Sequence, residues 1–126
     1  AYDLKPDWAI VVDVTDADGK SRKMGAGPCI TIMDSEMMGK RCINDWLEAI
    51  AKRKKMSVQL EVSDSGTTDA LSISLSRGGV PTAVVGIAIK NMHTPVSLAH
   101  MDDIKDAITL VELLLKKPPK VCIVRH

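Results

Sequence analysis

Apolar residues fall in short runs, separated by polar and glycine-rich breaks, and the spacing within each run predicts its structure. "WAIVVDVT" (Trp8–Thr15) is a continuous apolar, β-branched run closed by polar residues, which suits a strand buried on both faces. "DADGKSRKMGAGP" (Asp16–Pro28) is a loop, punctuated by Asp18-Gly19 and by Gly25, Gly27 and Pro28. "CITIMD" (Cys29–Asp34) is a short strand. From about Met38 to Lys54, Cys42/Ile43, Trp46/Leu47, Ile50 and Ala51 recur at helical spacing, and basic residues crowd the last turn, where they suit the helix macrodipole. "SVQLEVS" (Ser57–Ser63) alternates Val58, Leu60 and Val62 with polar residues, the pattern of a half-buried strand. Residues 64–79 give a glycine turn, a Thr/Asp helix start, a helix and a Gly78-Gly79 stop. "VPTAVVGIAI" (Val80–Ile89) is a further buried strand. "HMDDIKDAITLVELLLKK" (His100–Lys117) is a helix with acids in its first turn and lysines in its last. Pro118-Pro119 ends it, and "VCIVRH" is a short apolar tail.

Helices that separate apolar strands predict an α/β fold: one open, mostly parallel or mixed sheet flanked by helices, in a single unit spanning residues 1–126. Ligands of such sheets gather at strand ends. Three polar loops leave strands at their carboxyl ends: Asp13–Asp18, Asp64–Asp69 and Asn91–Pro95. Parallel strands would bring all three to one edge.

Composition narrows the function. Apolar residues make up 45% and charged residues 26% of 126, with a net charge of +1, so there is no basic excess for nucleic acid or an anionic membrane surface. With no phenylalanine, one tyrosine and two tryptophans, base-stacking platforms are not expected. No apolar run approaches the roughly 20 residues that span a bilayer. Cys29, Cys42 and Cys122 are widely spaced without a CxxC, which fits buried thiols in a reducing cytoplasm better than a zinc knuckle or redox dithiol. The chain opens on "AYDLKPDW", without methionine, and enters a strong strand almost at once, as a sequence entered partway through would.

Two side chains stand out chemically. Asp13 is a carboxylate between valines, a costly position unless it is paired, hydrogen-bonded or holding a metal. His93 follows a buried strand and precedes Thr94-Pro95, a stiffened exit that suits a metal ligand, an acid/base or a structural histidine. His100 reads as a first-turn helix residue. "SGTTDA" (Ser65–Ala70) leads a glycine loop into a helix N-terminus but has neither P-loop nor dinucleotide spacing. No GxSxG accompanies the serines of "LSISLS", so serine hydrolase chemistry is unsupported.

The order of these motifs is more specific than any one of them. "PDWAIVVDVTDADG", "MGAGPCI", a helix, "SGTTDALSISLSRGGVPTAVVGIAIKNMHTP" and a closing helix opened by acids resemble the M42 family of metallo-aminopeptidases, from about Pro6 to Leu115. The resemblance implies part of a zinc-peptidase, phosphorylase/hydrolase-like α/β domain carrying two divalent metals, zinc or cobalt, that activate a shared water. It places one metal ligand at Asp13 and another at His93. Gly66 and Asp69 fall in the family's glycine-rich turn lining the substrate pocket. It further implies a peptide substrate, a homo-oligomeric parent and a cytoplasmic setting, with neither nucleic acid nor membrane as partner.

The departures are equally informative. The family's upstream histidine, bridging aspartate, catalytic glutamate base and neighbouring metal-binding glutamate would precede Ala1, and their His-x-Asp and Glu-Glu motifs are absent from this sequence. Thr67 stands where glycine is usual, Ser97 where a glutamate commonly follows, and Asp16 where histidine is frequent. The expectation is therefore the carboxy-terminal part of a catalytic domain, inactive by itself. The alternative is a degenerate, non-catalytic α/β module serving oligomer assembly or peptide binding.

Overall fold

In a computed structural model of the chain, residues 3–17, 22–33, 41–62, 73, 75, 80–91 and 94–118 are described. Each apolar run within them becomes a regular element. In chain order these are β1 (Ala9–Asp16), β2 (Cys29–Met33), α1 (Arg41–Arg53), β3 (Gln59–Val62), β4 (Thr82–Lys90), β5 (Leu98–Ala99) and α2 (Met101–Lys116). The expected helix within residues 64–79 and the "VCIVRH" tail lie outside the described residues.

The sheet runs in the order β1-β4-β2-β3, with the two-residue β5 also paired to β4. Strand β4 is central because nearly all its side chains are small or β-branched and apolar, and such a strand needs cover on both faces. It pairs in parallel with β1 over its whole length, from Ala9 opposite Thr82 to Asp16 opposite Ile89. It pairs antiparallel with β2, Cys29 opposite Gly86, and β2 pairs in parallel with β3. The sheet is thus mixed, and β3 runs against β4. The carboxyl ends of β1 and β4 share an edge, whereas that of β3 lies at the opposite edge. The expected meeting of three loops therefore holds for two strand exits and fails for the third.

The two described helices lie on one face. Ile43, Leu47, Ile50 and Ala51 of α1 and Ala107, Leu110 and Leu114 of α2 are buried at helical spacing against Ile30, Ala83 and Val85. Each fully buried Ile or Leu contributes about 1.5–3 kcal/mol. His100 caps α2, its Nδ1 accepting the Asp102 N–H at 3.2 Å. At the other end, the Trp46 indole N–H donates at 2.9 Å to the carbonyl of Lys117, one of the acceptors that a helix leaves unmet.

Three expectations change. Strand β1 is not buried on both faces: it is the sheet's edge among the described strands, and Val12 and Val14 are exposed. Strand β3 is inverted, with Leu60 and Val62 more than half exposed and Glu61 only 4% exposed. Cys42 is disulfide-bonded, so the expectation of a reduced thiol fails there, while Cys29 is fully buried as expected.

The loop into β2 is held from both sides. Asp103, in the first turn of α2 and 1% exposed, accepts the Gly25 N–H on Oδ2 at 2.8 Å and the Gly27 N–H on Oδ1 at 3.0 Å. From β3, the Gln59 amide binds both backbone groups of Lys23 and the carbonyl of Gly27. Gly27 has φ +103°, and a Cβ there would sit 1.9 Å from the Ser57 carbonyl oxygen.

Two outcomes follow for urea unfolding. Gly27→Ala destabilises by more than about 2 kcal/mol or prevents folding, whereas Gly86→Ala, whose Cβ would meet only ordinary contacts from 3.5 Å outward, stays within about 1 kcal/mol. Asp103→Ala strips the acceptor from one buried and one part-buried amide and costs about 2–4 kcal/mol, with Asp103→Asn intermediate.

Candidate functional site

The shared edge at the ends of β1 and β4 is where the predicted site residues should meet. Asp13 lies on β1 opposite Gly86, with the side chain exposed and Oδ1 accepting the Val14 N–H at 2.7 Å. The aspartate predicted to be costly inside an apolar strand is thus solvated, which removes the desolvation penalty. His93, Gly66 and Asp69 lie outside the described residues. Asn91 and Thr94–Ser97, on either side of His93, are described. Asn91 adopts φ +58° as β4 ends, and its carbonyl accepts from the Thr94 N–H at 3.3 Å, the Thr94 hydroxyl at 2.6 Å and the Ser97 hydroxyl at 3.0 Å. Ser97, where a glutamate is common in the family, here donates to that carbonyl.

Asp13 suits the part of one oxygen ligand to a divalent metal: an exposed carboxylate in the middle of β1, the edge strand among those described. Among the described residues no group of three His, Cys, Asp or Glu side chains comes together to hold a metal. The donor chemistry fits, but a complete centre needs donors beyond those described.

Sequence reasoning missed a buried polar cluster on the face opposite the helices. Glu61 of β3 accepts the Arg22 guanidinium at 3.0 Å and the Thr15 hydroxyl at 2.6 Å on Oε1, and the Thr31 hydroxyl at 3.3 Å on Oε2. Arg22 and Glu61 side chains are 16% and 5% exposed. The ion pair and two hydroxyls together offset the cost of removing this carboxylate from water. In the sequence, Glu61 is one polar position of an alternating strand, and nothing local marks it as the inward one.

On the helix side, the outer flank of α2 and the edge strand leave an open apolar trough of about 430 Å³, bordered by Val12, Ile87, Ile104, Ile108, Val111 and Leu115.

The profile of the M42 glutamyl aminopeptidase family matches residues 1–110. The chain belongs to the M42 family. It is 32% identical over 124 residues to the lysyl aminopeptidase of Pyrococcus furiosus, covering 93% of this chain and 35% of that protein. Among solved structures, the TET aminopeptidase of a marine sediment thaumarchaeon superposes with a TM-score of 0.89 at 30% identity, covering 94% of this chain and 35% of that one. The TET1 peptidase of Pyrococcus horikoshii, a protein that can assemble into a tetrahedron or a large octahedral shell, shares the fold with a TM-score of 0.75 at 24% identity, over 86% of this chain and 33% of its own. The chain therefore spans about a third of the length of these M42 relatives.

The ion pair has a measurable signature. Arg22→Met leaves Glu61 as an uncompensated buried charge and costs about 3–5 kcal/mol, whereas the double variant Arg22→Met/Glu61→Leu recovers most of that loss. Denaturant unfolding of the two singles and the double should show strong coupling, and additive losses would contradict the cluster.

Proposed function

We propose that the chain is the carboxy-terminal part of the catalytic domain of a dinuclear-metal aminopeptidase, whose full-length form hydrolyses N-terminal residues from peptides. The observation that carries this reading is the family match over residues 1–110, in a chain spanning about a third of its relatives' length. The apolar trough supports it. Among the described elements the sheet ends at β1, and Val12 and Val14 of that strand are exposed, as the seam of a larger domain would be.

In this reading Asp13 binds one divalent metal, zinc or cobalt, and His93 binds the other; the same reading assigns Gly66 and Asp69 to the substrate pocket, although they follow β3, whose carboxyl end lies at the opposite edge of the sheet. The bridging carboxylate and the glutamate base precede Ala1. When bound, the metal pair supplies a hydroxide nucleophile near neutral pH. This chain's own part is positional. The parallel β1–β4 pairing sends both strand exits to one edge, and the Asn91 carbonyl past the end of β4 accepts the hydroxyls of Thr94 and Ser97. A peptide is the substrate, with no role for nucleic acid or membrane. The shell-forming TET1 relative supports a homo-oligomeric parent. Cytoplasmic residence belongs to the same reading, and the Cys42 disulfide pulls against it, since such bonds are rare in the cytosol outside hyperthermophiles.

A catalytic zinc is held by about three protein ligands, and this chain offers one for each metal. The purified 126-residue chain, supplied with zinc or cobalt, is expected to leave leucine- and glutamate-p-nitroanilide intact. Appreciable turnover by the chain alone would refute the division of ligands proposed here.

A further inference from the structure

The buried cluster around Glu61 ends at the strand that carries Asp13. Among the described strands β1 has one hydrogen-bonded neighbour, β4, and Val12, Asp13 and Val14 are all exposed. Thr15 is tied. Its hydroxyl donates at 2.6 Å to a carboxylate based on β3, which β4 and β2 separate from β1 in the sheet. Thr15 and Asp13 are two residues apart and so share one face of β1. Gly86, opposite Asp13, lies beside them: a Cβ there would make an ordinary contact with Thr15 Cγ2 at 3.5 Å. Arg22, from the loop ahead of β2, holds Glu61 ionically at 3.0 Å, and Thr31 on β2 holds its second oxygen.

We propose that Glu61 is a positioning residue for Asp13, acting through the Thr15 hydroxyl to set where the carboxyl end of β1, and with it the Asp13 carboxylate, sits. The inference rests on the reading of Asp13 as a metal ligand. A ligand must be held to within about half an ångström of its productive place, and groups that orient a ligand from behind are typically worth 10–100-fold in metal affinity. The tie from Thr15 holds the end of β1 on the face that also carries Asp13.

The test uses the full-length protein with Co²⁺ as the probe. Affinity is read by chelator competition, geometry by the visible absorption of the bound cobalt, and folding by thermal unfolding of the metal-free form. Thr15→Val, which keeps the shape and removes the hydroxyl, should weaken Co²⁺ binding about 10-fold and alter the spectrum, and Thr15→Ser should restore both. Glu61→Gln should behave as Thr15→Val in the fraction that folds. If Thr15→Val binds cobalt as the native protein does while Asp13→Asn weakens it, the cluster is a structural anchor only and the proposal falls alone. If Asp13→Asn also leaves binding unchanged, the ligand assignment and the proposal fall together.

Discussion

The carboxylate of Asp103 is the contact on which the arrangement of the described elements turns. It belongs to the first turn of α2, yet its two oxygens take the amides of Gly25 and Gly27, more than seventy positions earlier in the chain. That bond holds the entrance of β2 beneath the start of α2, where Gly27 can press against the Ser57 carbonyl and Gln59 can stitch the loop to β3. With the entrance of β2 fixed there, β2 runs against β4, and β3 follows it. One buried acid thus anchors the entrance of the strand that runs against β4.

A mixed sheet has consequences for both faces. On the helix side, the apolar positions of β4 and β2 meet the stripes of α1 and α2 and form the core. On the other side, the inward residues of β1, β2 and β3 include Thr15, Thr31 and Glu61, and the carboxylate gathers the two hydroxyls and Arg22 around itself. A buried ion pair adds little net stability over an apolar packing of the same shape, but removing one partner is severe. Such a pair constrains geometry more than it stabilises. Its location beside the strand bearing Asp13 fits a domain whose chemistry depends on where one strand end sits.

Membership of the M42 family ties this architecture to longer relatives named as aminopeptidases, and an apolar trough lies above β1. Val12, Ile108 and Leu115 are ordinary core residues by type, left without cover. They are the kind of surface that a further helix and strand of one larger domain would close.

Much of this was legible in the residues alone. Apolar spacing located β1, β2, α1, β3, β4 and α2 to within a few positions, because burial periodicity is local: 3.6 residues for a helix, two for a strand. The order of the motifs pointed to the family. The direction of β3, the exposure of Val12 and Val14, the inward turn of Glu61 and the disulfide at Cys42 were not legible. An alternating strand offers two faces, and its own pattern says only that they differ. Which face is interior depends on what packs there, and for β3 that was Arg22 from one loop and a threonine from each of two other strands. The sequence by itself determined which segments would be strands and helices and which family they compose. Tertiary structure alone decided which polar groups would be buried together, since a carboxylate leaves water only where partners distant in the chain converge to receive it.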